Sequence, residues 1–156
     1  MKLKDKFIII VSLAGLTLTG CLEMELKVQS NHAAVGSTFS ATNEVIQTNN
    51  SGSRTMLYAV QKPEDWTINS VTFISPQQGD GTLSYLGNGS DASLTENSGI
   101  DEGWEDSLTA NYPPAAGSHW AVYMSDAAAT SSASEESPDT FHVTVEYTVG
   151  NNEGNY

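Results

Sequence analysis

The chain has one cysteine, Cys21, in 156 residues. A single thiol forms no disulfide within the chain and supplies no redox pair or thiolate zinc site. Cations are almost as scarce. Six Lys and Arg face nineteen Asp and Glu, and three of the six (Lys2, Lys4 and Lys6) fall in the first six residues. After Cys21 only Lys27, Arg54 and Lys62 remain against eighteen acids, a net charge of −15. Such a chain repels nucleic acid, because phosphate binding needs Lys and Arg. Charge alone also gives it no reason to lie on an anionic bilayer. We read the acidity as a solubilising surface rather than a cation-binding device. No G-x-S-x-G elbow, P-loop or dinucleotide fingerprint is present. The histidines, His32, His119 and His142, stand far apart without ligands at i+2 or i+4, and we read them as surface residues.

What is present begins with an export pattern. Met1–Lys6 is a basic n-region, and Phe7–Leu18 is an apolar run of twelve residues. As a helix that run would span ~18 Å, short of the ~30 Å bilayer core. A charged start, a short apolar middle and small residues before a cut site make a secretory signal peptide over residues 1–20. The run ends in Leu18-Thr19-Gly20-Cys21, which resembles the lipobox of bacterial lipoproteins. The resemblance implies cleavage between Gly20 and Cys21 and a diacylglycerol on the Cys21 thiol. More than one acyl chain gives stable anchoring. Leu22 in place of Asp at the second mature position implies transfer to the outer membrane, and Glu23 and Glu25 resemble surface-export signals of some gut bacteria.

Residues 21–156 are then one domain, long enough for its own core. Their periodicity is two. Leu22, Met24, Leu26 and Val28 alternate with Glu23, Glu25, Lys27 and Gln29. A turn is expected at Val35-Gly36-Ser37 and strands at 38–48, 54–61, 70–75, 82–86, 119–125 and 140–149. Gly79-Asp80-Gly81 should break the chain before the fifth of these seven strands. The strand at 54–61 is mostly apolar and is expected to be central. In the last, Phe141, Val143, Val145, Tyr147 and Val149 share one face. Seven strands separated by Gly, Asn and Pro turns predict an all-β fold, an immunoglobulin-like β-sandwich, with no Cys…Trp…Cys signature. Two stretches interrupt it. In 87–117, Ile100, Trp104, Leu108 and Tyr112 recur every fourth residue, which predicts a short helical insert ended by Pro113-Pro114. Residues 126–138 (DAAATSSASEESP) read as a mobile loop.

The candidate chemistry is sparse. Glu64-Asp65, Asp101-Glu102, Glu105-Asp106 and Glu135-Glu136 are carboxylate pairs in loops, with no cleft of the kind a glycosidase needs. We expect no enzyme, no required cofactor and no dedicated metal centre. Asp80, Asn88 and Asp91 lie in glycine-rich segments that could fold round Ca²⁺. For ligand binding the candidates are Trp104 and Tyr112, flanked by Asp101 and Glu105: aromatic platforms beside carboxylates suit sugar rings. The competing reading has Trp104 pinning the insert to the sandwich. Trp66 and Trp120 read as core or core rim. Asp106-Ser107-Leu108 resembles the acceptor triplet for O-glycosylation in some gut-dwelling bacteria, with Ser107 as the acceptor.

As a whole, the lipid cysteine followed at once by a strand, then LYAVQKPEDWTINSVTF and a later W-x-V-Y strand, resembles surface lipoproteins of Bacteroidota with immunoglobulin-like domains. The resemblance implies an outer-membrane, surface-facing accessory or glycan-binding module associated with nutrient uptake, with no catalytic residues to transfer. The alternative is a structural or protein-interaction domain of the envelope. The tail Gly150–Tyr156 reads as a turn leading onward, so a further strand or domain is expected beyond it. In that case the strand at 140–149 would have a poorly covered edge.

Overall fold

A computed structural model describes residues 22–26, 33–48, 52–77, 79–88, 104–134 and 136–151. The described residues are all-β apart from one short helix. The strands are β1 (Leu22–Leu26), β2 (Thr38–Gln47), β3 (Gly52–Arg54), β4 (Leu57–Pro63), β5 (Thr67–Ser75), β6 (Gly79–Asn88), β7 (Ser118–Ser125), β8 (Ala129–Ser131) and β9 (Asp139–Thr148). Between β6 and β7 lies the helix α1 (Trp104–Asn111). Seven strands form one antiparallel sheet in the order β1-β2-β9-β5-β6-β7-β4, and β3 pairs with β8 in a separate ribbon.

Alternation governs the first half of this sheet. On β9, Phe141, Val143, Val145 and Tyr147 are buried, while Thr140, His142, Thr144, Glu146 and Thr148 are half-buried on the other side. On β2 the buried positions are Ala41, Asn43 and Val45. One face therefore meets a core and the other meets water.

In the second half the alternation disappears. Tyr58, Ala59 and Val60 on β4 are all buried, as are Trp120, Ala121, Val122 and Tyr123 on β7. Both faces are covered. Tyr58, Val60, Ala121 and Tyr123 join Val45, Phe73, Val143 and Val145 in the main core. Ala59, Trp120 and Val122 form a second cluster with Leu108 of α1, with Leu86 against it. The apolar run of β4 had suggested a central strand, but β4 ends the sheet. Its apolarity reflects the helix on its outer face, not neighbours on both edges.

The sheet rolls over on itself. Asn43 Nδ2 on β2 donates to Tyr58 Oη on β4 at 2.5 Å, joining strands near opposite ends of the order. The roll is made possible by β6, which changes partners along its length. Its residues 79–82 pair with β5, and residues 83–88 pair with β7 across a register shift after Tyr85. The expected break at 79–81 lies inside this strand. Gly79 takes the positive φ of the hairpin turn. Gly81 is directly opposite Phe73, where any side chain would run into the Phe73 ring. Glycine here permits close approach instead of ending the strand.

Two further expectations are corrected. Residues 126–138 are not simply a loop, since β8 lies within them and Ala129, Ser131 and Ala133 are buried. Asp139 Oδ2 accepts from Ser131 Oγ at 2.9 Å and from the Ser132 amide at 2.6 Å. Ser75 Oγ donates to the Thr130 carbonyl. Small side chains let this polar segment pack closely. The second correction concerns β9, which is paired on both sides by β2 and β5 and has no open edge. The sheet ends instead at β1 and β4. The segment expected to be a signal peptide, residues 1–20, and Cys21 lie outside the described residues. Among the described residues, no helix is long and apolar enough to cross a membrane.

Candidate functional site

An isolated helix of eight residues is marginal in water, so α1 depends on what it rests against. Leu108 is fully buried between Ala59, Trp120 and Val122. The Tyr112 amide donates to the Leu108 carbonyl at 2.9 Å, continuing the helical bonding by one residue. The Tyr112 carbonyl then accepts from Trp120 Nε1 at 2.7 Å. Pro113 and Pro114 stop the helix, and the chain turns into β7. Leu108 together with the Trp120 indole thus pins the helix; the side chain of Trp104, the other residue expected to pin it, lies outside the described ones. Trp120 is a core residue and Trp66 is a partly buried one, as expected.

Trp104 begins α1 and Tyr112 follows its end. Eight residues of helix rise ~12 Å, so the two stand at opposite ends of the insert. A ligand on this insert could meet Tyr112. The Tyr112 side chain is 40% exposed and open to such contact. Glu105 lies in the first turn of α1, and Asp101 falls outside the described residues. Ser107 directly precedes Leu108, so the apolar member of its acceptor triplet is buried in the folded chain.

The calcium candidates are not brought together. Asp80 and Asn88 sit near opposite ends of β6. Eight residues of strand span ~26 Å, an order of magnitude beyond the 2.3–2.6 Å of a Ca²⁺–oxygen bond. Asp91 lies outside the described residues, and among those described no group of three or more acids and histidines is placed to hold a metal. His119 Nδ1 lies 3.2 Å from Glu64 Oε1, and His142 Nδ1 lies 3.6 Å from Glu44 Oε1. These are two separate pairs on different strands. His32 is outside the described residues.

Several polar groups were not anticipated. Lys62 Nζ donates to the carbonyls of Pro63, Glu64 and Trp66, clamping the turn between β4 and β5. Burial lowers its pKa, opposed by Glu64 and Asp65. Asp126 accepts from Ser84 Oγ and Thr82 Oγ1 at 2.5 Å each, and these bonds hold its carboxyl below the usual range. Pairing also aligns Tyr85, Tyr123 and Tyr58 in one row across β6, β7 and β4. Tyr85 is 54% exposed, packs edge-on against Tyr123 and donates from Oη to Asn88 Oδ1. Burial pushes Tyr58 and Tyr123 up to about 12, and it raises Tyr147 further. This row could have been sought in the sequence as tyrosines on three strands that pair side by side, but the pairing of β6 with β7 is not local.

Compared with protein-family models, curated proteins and solved structures, the chain matches none of them.

Proposed function

We propose that this chain is a lipid-anchored, non-enzymatic domain of a bacterial cell envelope. In this reading it is held in the outer membrane through Cys21 and acts as an accessory or glycan-binding module. The observation that carries the anchoring is the run Leu18-Thr19-Gly20-Cys21 at the end of a short apolar segment. In support, β1 begins at Leu22, one residue after the cysteine. In cells fed a labelled fatty acid, Cys21→Ser should abolish incorporation into this protein. Labelling that survives the substitution contradicts the anchor.

The recognition element in this reading is α1 with its flanks. It presents Tyr112 outward, and Leu108 and Trp120 hold it in place. Binding on a glycan array that weakens at least tenfold in both Trp104→Ala and Tyr112→Ala supports the glycan assignment. Absence of binding by the unmodified domain removes it.

A second reading, a structural or protein-interaction domain, is favoured by the two sheet ends. β1 and β4 each have one neighbouring strand in the sheet, and an open strand edge can pair with another chain. Crosslinking in cells at native expression should recover a stoichiometric envelope partner if this reading holds, and only the uncrosslinked monomer if it does not.

The finer architecture we propose is a two-layer β-sandwich, immunoglobulin-like in its seven strands and facing halves. Its support is the Asn43–Tyr58 bond across the core. It departs from the constant-domain arrangement of two sheets, ABED and CFG, in that the last strand, β9, sits between β2 and β5.

A further inference from the structure

The pairing of β1 fixes more than an edge. Leu22 is opposite Gln47, and Gln47 is opposite Asp139. The residue after Cys21 is therefore level with the last residue of β2 and the first of β9. Leu22 follows Cys21 directly in the sequence and is already paired at this end of the sheet, so no tether residues separate the cysteine from the first strand. The same end carries the segment leading into β9, where Gln77 Nε2 donates to Ser132 Oγ and Asp139 holds Ser131 and Ser132.

The opposite end is equally well defined. Thr38 is opposite Thr148, and Thr148 is opposite Thr67. The turn at Val35-Gly36 is bonded there, from the Gly36 amide to the Val149 carbonyl. Glu64 bonds through its amide to the Gly117 carbonyl and through its carboxylate to His119. Residues 113–117 bring Tyr112 to this end. Two of the large apolar side chains that remain exposed, Val35 and Tyr112, are found here. Ten residues of β2 separate the two ends, ~30 Å at the rise of an extended strand.

Resting on the reading that Cys21 carries the lipid, we propose that the domain stands on end: the Gln47–Asp139 end abuts the lipid headgroups, and the end bearing Val35, Tyr112 and the Glu64–His119 pair faces outward as the surface a partner meets first. A domain lying on the sheet face that carries Glu44 would press Glu146 onto the headgroups as well as Glu44 and Asp80, whereas standing on end keeps Glu146 and the Glu64 turn away from them. An anionic surface therefore opposes lying flat more than standing on end.

The chain itself supplies a clean test. Once Cys21 is acylated no other thiol remains, so Glu136→Cys and Val35→Cys each create one labelling site at an exposed position, one at either end. The acylated full chain of each variant, labelled with a thiol-reactive fluorophore, is reconstituted into vesicles of neutral and anionic phospholipid. A nitroxide on the lipid headgroup serves as the quencher. Quenching should be several-fold stronger at Glu136→Cys than at Val35→Cys. Equal quenching at the two sites, or stronger quenching at Val35→Cys, overturns the orientation. Acylation is verified first by fatty-acid incorporation. A chain that takes up no fatty acid overturns the anchoring reading and the orientation with it, whereas an acylated chain quenched equally at both ends overturns the orientation alone.

Discussion

The two halves of the rolled sheet share one core and differ in what covers their outer faces. Over β7 and β4 the outer face carries Ala59, Trp120 and Val122, and α1 closes it through Leu108. Over β2, β9 and β5 the equivalent face carries Thr42, Thr144 and Thr72 in one row, with Glu44 and His142 in the next. Thr42 and Thr144 hydroxyls bond to each other at 2.9 Å, and Asn69 bonds Glu146 and Thr148. Both halves are antiparallel strands of similar length, so backbone pairing does not separate them. The outward-facing side chains do. Where those are apolar, a helix of eight residues becomes stable by docking; where they are mostly hydroxyls and charges, with Ile74 exposed among them, no described element covers the face. The helix α1 is thus part of the second half's packing.

The largest expected effect comes from removing that base. Leu108→Ala should lower stability by ~2–5 kcal/mol, the range for a fully buried leucine whose site refills incompletely. Urea denaturation would measure it, and a change of under 1 kcal/mol would break the claim that α1 is docked. The next test exchanges the two faces. Val122→Thr places a hydroxyl under the helix, where a buried polar group without a partner costs ~1–3 kcal/mol. Thr144→Val on the other face should cost less, about 1 kcal/mol at most, since it loses one half-exposed bond to Thr42 and leaves no hydroxyl buried under a helix. Equal costs at the two positions would erase the distinction between the halves.

The core joining the halves has its own signature in pH. Tyr58 and Tyr123 have folded-state pKa values of about 12 against an ordinary 10.0, and Tyr147 is raised too. Between those values the unfolded chain gives up phenolic protons that the folded chain keeps. The unfolded state therefore binds fewer protons, and stability falls as pH rises. The stabilising contribution is fully present below pH 10 and is lost on the way to about 12. Denaturation midpoints should be insensitive to these groups at neutral pH and drop above pH 10. Full phenolic titration near pH 10 by ultraviolet absorbance, with the fold intact, would contradict this. The smallest effect belongs to the bare face. Breaking the Glu44–His142 pair with Glu44→Gln should shift stability by no more than ~1 kcal/mol, since partly exposed ion pairs contribute little.

The same contrast explains how far the sequence could be read. Strict alternation in 140–149 places β9 and its buried residues correctly, because one wet face and one dry face leave a period of two. The strand from Leu57 to Pro63 reads equally well as an apolar strand, but its position does not follow. Apolarity reports that both faces are covered without saying by what, and the cover is a helix some fifty residues later in the chain. The helix was visible through the spacing of Trp104, Leu108 and Tyr112. That Leu108 would be buried and Tyr112 exposed was not, because that depends on the matching patch of Ala59, Trp120 and Val122. Asp80 and Asn88 looked close in a glycine-rich stretch and lie far apart because that stretch is a strand. Gly81 reads as a break until Phe73 is found opposite it, and the Ala-Ser run near 130 reads as a loop until Asp139 and Ser75 are found bonding it. These are long-range pairings that local chemistry leaves open.

The proposed anchoring and the proposed end-on orientation both depend on a lipid at Cys21. The most direct measurement is the mass of the N-terminal peptide of the chain extracted from cell membranes. The predicted result is a chain that starts at Cys21, lacks residues 1–20 and carries a diacylglyceryl thioether on the cysteine. A chain that begins elsewhere, or one that begins at Cys21 with a free thiol, would contradict it.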